Sequence, residues 1–334
     1  MGESDQMIYL VFRKANEKQF SIENVFQPIA GRISGLTRAM TWTLPFSNRG
    51  LVHKVKNILA VFQLNGFVHI TGDVYYTCLL LRRPFVATYH DVEILTRTSG
   101  LKRWLIKMFW FKIPSKKARF LSFVSAFSKQ DFVEKIGGHI ESKCTVIYNP
   151  LPAGFEHVPK EFNSQKPKIL QIGTKQNKNL SCLAGALQGI SCELIVVGKL
   201  TANQKDVLGS ARIEYIERHN LTPNQLIQAY RDCDILSFVS TIEGFGLPII
   251  EAQATGRVVI TSKVTSMPEI AGRGAHLVDP FDLDDIRNGF LKLINDESYR
   301  NQLVEAGLKN IGRFELEKIS LQYLELYKKA FVDH

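Results

Sequence analysis

The sequence predicts an α/β chain of two doubly wound, Rossmann-like domains, each with a parallel sheet between layers of helix. Three observations carry this. Short apolar runs recur along the chain with room for one helix between neighbours, the pattern of repeated βαβ units. The alternation stops at Asn149, passes through a stretch bearing Pro150, Pro152 and Pro159, and restarts at Lys168. A length of 334 residues is enough for two domains of ordinary size.

The first strand is Met7 to Phe12, M-I-Y-L-V-F, followed by Arg13 and Lys14. From Phe20, F-S-I-E-N-V-F opens a helix with Ser21 as its N-cap and Ile22, Val25 and Phe26 on one face. Further strands are expected over Val68 to Asp73, Pro84 to Asp91, Phe120 to Ser125 and Thr145 to Pro150. The interdomain boundary falls near residues 151–165, which gives a first domain over 1–155 and a second over 156–314. In the second domain, Lys168 to Gly173 and Glu193 to Gly198 are strands that end in glycine. Ile213 to Ile216, Ile235 to Val239, Val258 to Thr261 and His276 to Val278 continue the series. The tail from Phe314 places Ile319, Tyr323, Tyr327 and Phe331 on one helical stripe.

Composition narrows the function classes. The chain has 42 Lys and Arg against 32 Asp and Glu, a net charge of +10, and the excess is one-sided. Residues 1–160 hold 22 basic against 11 acidic side chains, and residues 161–334 hold 20 against 21. Such asymmetry points to an anionic partner for the first half, namely phospholipid, a lipid-linked diphosphate or nucleic acid; a merely solvated basic face is the plain alternative. The segment Arg97 to Arg119 concentrates the effect, with basic residues, no acidic one, and Trp104, Phe109, Trp110 and Phe111 interleaved, as in helices that lie on anionic lipid. Nucleic acid could use the same chemistry, and a buried helix with lysines reaching out to water is the competing structural reading. No apolar run reaches about 18 residues and the start is polar and acidic, so a cytoplasmic chain without a spanning helix is expected. Cys78, Cys144, Cys182, Cys192 and Cys233 form no C-x-x-C pair and suggest neither a disulfide framework nor a metal site.

The stretch from Val239 to Glu251, V-S-T-I-E-G-F-G-L-P-I-I-E, concentrates the chemistry. A buried strand ends at Val239, Gly244 and Gly246 permit a sharp turn and a close approach, Pro248 suits the first turn of a helix from Leu247, and Gly256 suits its stop. A helix N-terminus at the C-terminal end of a parallel strand is a place for a diphosphate. Glu243 can accept hydrogen bonds from sugar hydroxyls, and Glu251, further into the helix, can reach a vicinal diol such as a ribose. Together they read as a site for a sugar nucleotide.

Glu243 and Glu251, with seven residues between them, resemble the E-x7-E signature of glycosyltransferase family 4 (group 1), retaining enzymes of the GT-B fold. The flanks resemble it too, in order: Ala252 to Gly256, V-V-I-T-S from Val258, S-M-P-E-I from Ser266 and H-L-V-D-P from His276. The resemblance implies two Rossmann-like domains facing a central cleft, the first receiving the acceptor and joined by the C-terminal helix 315–334, the second binding a nucleoside-diphosphate sugar. It implies a transfer without metal or cofactor, in which the leaving phosphate assists the incoming hydroxyl on the same face. Glu243 and the backbone of Gly244, Phe245, Gly246 and Leu247 then fall to the sugar and diphosphate, and Glu251 to the ribose. In G-T-K-Q-N-K-N-L from Gly173, Lys178 stands where the family has a diphosphate-clamping lysine and serves the leaving group. Thr174 stands where the family has arginine, which leaves Lys175 as the substitute cation. His90, in T-Y-H-D, resembles the family's cleft histidine. Gly198 and Lys199 resemble a turn near the ribose or diphosphate, and I-E-R-H-N-L from Ile216, with His219, a loop framing the base. The loop K-A-N-E-K-Q from Lys14 departs from the family in lacking glycine. Expected partners are a nucleotide sugar, a sugar or lipid-linked acceptor and an anionic membrane surface through residues 97–119, with no nucleic acid. A sugar-nucleotide epimerase, a phosphorylase or a non-catalytic partner protein would share the fold.

Overall fold

The computed structural model describes residues 6–14 and 21–332, with the side chains of Ser21 and Val332 left out. The chain divides into two units, Met1–Pro150 with Glu315–His334, and Leu151–Phe314.

The first unit is built on a six-stranded parallel sheet in the order β2-β1-β3-β4-β5-β6, formed by Ile8–Phe12, Ala39–Thr43, Phe67–Ile70, Phe85–Tyr89, Phe120–Phe123 and Cys144–Val146 for β1 to β6. Pairing Ile8 with both Ala39 and Phe67 puts β1 between β2 and β3, so the chain reverses its winding direction beside β1. In such sheets the reversal opens a crevice at the C-terminal strand ends. The runs that read as strands are β1, β3, β4, β5 and β6, although β6 stops at Val146, short of the expected Pro150. The sequence reading missed β2. Its residues A-M-T-W-T sit at the sheet edge and are mostly exposed, so no buried face imposes alternation on them.

The helix Ser21–Ser34 buries Val25, Phe26, Ile29 and Ile33. The expected cap by the Ser21 side chain, and most of the loop that lacks glycine, lie outside the described residues. The tail forms the helix Leu316–Val332, whose Ile319, Tyr323 and Tyr327 are buried in the first unit. Tyr327 shares a hydrogen bond of 2.6 Å with His69 Nδ1 on β3, and Phe331 packs edge-on against Phe67. Arg32 and Glu317 add an ion pair between the tail and the first helix.

The basic segment is helical over Gly100–Ile106, widens to a π-helical turn over Lys107–Lys112 and continues over Ile113–Lys117. Phe111 is buried, whereas Leu101 is 73% and Trp104 56% exposed, alongside exposed Leu105 and Phe109. The helix is thus anchored by its C-terminal half and presents an apolar and basic N-terminal half to solvent. Among the described residues no helix is long and apolar enough to cross a membrane.

The second unit holds another six-stranded parallel sheet, β12-β11-β10-β7-β8-β9, formed by Lys168–Ile172, Glu193–Val197, Tyr215–Arg218, Ile235–Phe238, Val258–Ser262 and His276–Val278 for β7 to β12. Ile235 pairs with Ile169, so the winding reverses between β7 and β10. β9 lies later than the expected Ile213–Ile216: Ile213 packs into the core ahead of the strand and Tyr215–Arg218 pairs with β8. Leu194, Val196, Ile235, Val258, Ile260 and Phe290 are among its core residues.

Candidate active site

The second unit gathers its polar side chains where β7 and β10 end. Gly173 follows β7 with φ of 88°, and a Cβ there would sit 3.1 Å from Lys178 Cε, so the glycine makes room for the lysine stem. Residues Gln176–Lys178 form a single tight turn closed by Asn179 in the left-handed region, a conformation that asparagine tolerates. Asn179 Nδ2 donates to the carbonyls of Val239 and Pro280, which ties the turn to the loop after β10. Lys178 Nζ donates to Glu243 Oε1 at 2.6 Å and lies 4.5 Å from the centroid of the Phe238 ring. The same carboxylate oxygen accepts from Asn177 Nδ2 at 3.2 Å. Both charged side chains are about 15% exposed, at 15% and 16%. This half-desolvated pair is held more firmly than a surface ion pair.

Glu243 leads into the helix Leu247–Ala254. Of the two glycines before it, Gly244 lies in the bend that leads to the helix and Gly246 takes a positive φ of 112°. Pro248 occupies the first turn, as expected, and contributes no N–H there. Ser266 Oγ donates to the carbonyls of Glu243 and Phe245 and fixes the loop from below. Phe245 itself is buried edge-on against Phe314, so only its backbone is available to a ligand.

Glu251 does not join the Lys178–Glu243 pair. Its carboxylate is buried and its Oε2 accepts from the Tyr230 hydroxyl at 2.5 Å. Burial pushes its pKa up to about 7 against the opposing effect of that hydrogen bond. Thr174, in the position where a clamping arginine was sought, donates its hydroxyl to the Lys199 carbonyl and packs against Gly198, while its own carbonyl accepts from Gln204. Lys175 and Lys199 are exposed on these loops, and His219 is exposed beyond β9, 3.9 Å from Glu217.

In the first unit, His90 follows β4. Its Nε2 lies 2.9 Å from the Thr71 carbonyl, which makes it the protonated nitrogen, and its own carbonyl accepts from Ser128 Oγ. The contributions of Asn177, Asn179, Tyr230 and Ser266 were not assigned from sequence. Asn179 alone carried a signal, an asparagine able to close a left-handed turn. The others depend on partners distant in the chain.

Residues 154–310, nearly the whole second unit, match the family described as Glycosyl transferases group 1. The second unit is a group 1 glycosyltransferase domain. The chain is 25% identical over 305 residues to the O-antigen chain mannosyltransferase B of Escherichia coli, a match covering 83% of this chain and 78% of that one. In fold, the chain is similar to Anabaena HepE, solved with UDP and glucose, with a TM-score of 0.77, 16% identity and coverage of 97% of this chain and all of that one. The lipopolysaccharide outer core galactosyltransferase WaaB is similar at a TM-score of 0.74 and 17% identity, over 97% of this chain and 99% of that one. These likenesses establish a GT-B fold of two Rossmann-like domains.

Proposed function

We propose that this enzyme is a retaining glycosyltransferase that takes a sugar from a nucleoside diphosphate held by its second unit and passes it to an acceptor held by its first. The observation that carries this is the Lys178–Glu243 pair at the winding reversal of the second sheet, beside the N-terminus of the helix Leu247–Ala254. In the reaction the bond between the anomeric carbon and the phosphate oxygen breaks, and its electrons pass to the diphosphate. The acceptor oxygen forms the new bond on the same face, and its proton passes to the departing phosphate. Lys178, exchanging Glu243 for the diphosphate, meets the growing negative charge, and the first-turn amides of the helix supply the opposite pole. Glu243, so released, accepts hydroxyls of the transferred sugar. Among the described residues its Oε2 takes no hydrogen bond, which leaves an acceptor for a ligand. Glu251 takes the ribose hydroxyls, and Lys175, Lys199, Gly198 and His219 frame the nucleotide. His90 is the candidate contact of the first unit with the sugar. These groups supply the charge that a metal would otherwise bring.

The mannosyl- and galactosyltransferase names among the relatives, both of surface polysaccharide synthesis, support a cell-envelope acceptor. The exposed basic and aromatic face of residues 97–119 supports a peripheral location on the cytoplasmic face of an anionic membrane.

The test is a thermal-shift and calorimetric screen against UDP, GDP, ADP and their common sugars. One nucleotide series should stabilise the protein, by about 2.7 kcal/mol at a hundredfold excess over Kd. Lys178→Ala should remove most of this and lower transfer by about 10²–10³-fold, the scale of losing one electrostatic contact to the developing charge. Glu243→Gln should lower transfer with the fold intact. If no nucleotide binds, or both variants transfer normally, the proposal fails.

A further inference from the structure

The first unit contains a cavity of about 710 Å³ at the C-terminal ends of β1, β3 and β4, which is the winding reversal of its own sheet. Its charges do not cancel. Arg13 is already committed to Glu23 at 2.7 Å and Asp73 at 2.6 Å. What remains on the lining is Lys14, Arg49 and Lys54 against Asp91. Among the described residues no carboxylate pairs with any of those three cations; Lys14 donates only to the Pro45 carbonyl, and Lys54 Nζ lies 4.8 Å from the centre of the Trp110 ring. Three cations gathered around one concavity, Lys54 half-buried and Lys14 and Arg49 exposed at its rim, favour a multiply charged anion.

The cavity wall is also shaped for more than an ion. Trp110 donates its indole N–H to the Asp73 carbonyl at 3.2 Å and packs at 5.0 Å against Tyr76, whose hydroxyl is held by Asn48. With Lys54 over its ring and Tyr76 packed against it, Trp110 is a fixed apolar wall beside the cations, which a sugar attached to the anion would meet. Trp110 belongs to the helical segment that exposes Leu101, Trp104, Leu105 and Phe109. An apolar tail attached to the anion would thus meet apolar side chains on the same segment.

We propose that this cavity is the acceptor site and that its acceptor is a saccharide carrying a phosphate or diphosphate, the anion held by Lys14, Arg49 and Lys54 and the sugar beside Trp110. This deepens the transferase reading and rests on it for the reaction, but its binding chemistry belongs to the first unit alone.

The experiment is calorimetry of the full chain with inorganic diphosphate, farnesyl diphosphate and methyl α-mannoside, in a Lys178→Ala background that disables the donor site. Both diphosphates should bind, with an affinity that falls as salt rises, and adding Arg49→Ala with Lys54→Ala should raise Kd about tenfold or more. Farnesyl diphosphate binding at least fivefold tighter would identify a lipid-linked acceptor, and equal affinities a soluble phosphorylated one; either supports the site. The proposal is overturned if no diphosphate binds in this background, if the added substitutions leave Kd unchanged, or if the neutral glycoside binds as tightly. Should the multiple variant fail to fold, exposed Arg49→Gln alone decides, with a Kd increase expected. Failure of the donor reading shows separately, as absence of nucleotide binding to the unsubstituted protein.

Discussion

Glu251 shows how one residue can be placed correctly on its helix by sequence and still differ in character from what its spacing suggests. Its seven-residue separation from Glu243 gives a carboxylate in the second turn, yet burial in the core pushes its pKa up to about 7, against the opposing effect of the Tyr230 hydrogen bond. For folding, a raised carboxyl pKa contributes stability in full below its ordinary 4.5, and this is lost as pH rises through 7. For binding, the sign is opposite. Ribose hydroxyls donate, so they favour the ionised form, and affinity for a nucleotide sugar should increase between pH 6 and pH 8. The diphosphate of such a donor is a diester and does not titrate in this range, which keeps the slope attributable to the protein. In Glu251→Gln the affinity should be lower and its pH dependence flat. A wild-type affinity independent of pH, or the same slope in the variant, would remove Glu251 from the ribose.

Among elements, the tail helix and β2 mark the two ends of legibility. Ile319, Tyr323 and Tyr327 repeat at helical spacing because one face is buried, and the burial is what wrote the pattern. β2 is exposed on the edge of its sheet, so nothing constrained its residues to alternate and it stayed hidden. The same logic separates Lys178 and Glu243, set beside glycines and a helix start, from Tyr230, whose role depends on a contact 21 positions away. What the stripe on the tail did not reveal is its polar content. His69 is fully buried, bonded to Tyr327 on one ring nitrogen and to Thr88 on the other at 2.8 Å. Burial, with a smaller contribution from His90, lowers its pKa to about 3. The neutral ring therefore stabilises the fold fully above its ordinary 6.5, and this is lost as pH falls from 6.5 towards 3. Tyr327→Phe should cost about 1–3 kcal/mol in urea unfolding, because it strands a buried ring nitrogen. The loss should come without a change in nucleotide affinity. Unchanged stability would mean that the hydroxyl is not holding the tail.

At the scale of the molecule, the two units differ in charge as sharply as they resemble each other in topology. The first holds 24 Lys and Arg against 14 Asp and Glu, while the second holds 18 of each. A neutral second unit fits the proposed donor site, in which charge would be neutralised locally and Lys178 is already paired to Glu243. A unit with an excess of ten positive charges is attracted to anionic surfaces over about a Debye length, roughly 8 Å at physiological salt. Attraction alone would not hold it there. In the proposed peripheral binding, exposed Leu101 and Trp104 would supply the apolar contact, worth on the order of 1.5–3 kcal/mol for each large side chain fully removed from water. Sedimentation with vesicles should therefore show binding to a mixture of phosphatidylglycerol and phosphatidylcholine and none to phosphatidylcholine alone. Half-molar salt should reduce the bound fraction. Leu101→Ala with Trp104→Ala should reduce it about tenfold and leave thermal unfolding unchanged, since both side chains are more than half exposed. Binding that ignores lipid charge would contradict the role given to the basic unit, and binding that survives the double substitution would move the contact away from this helix.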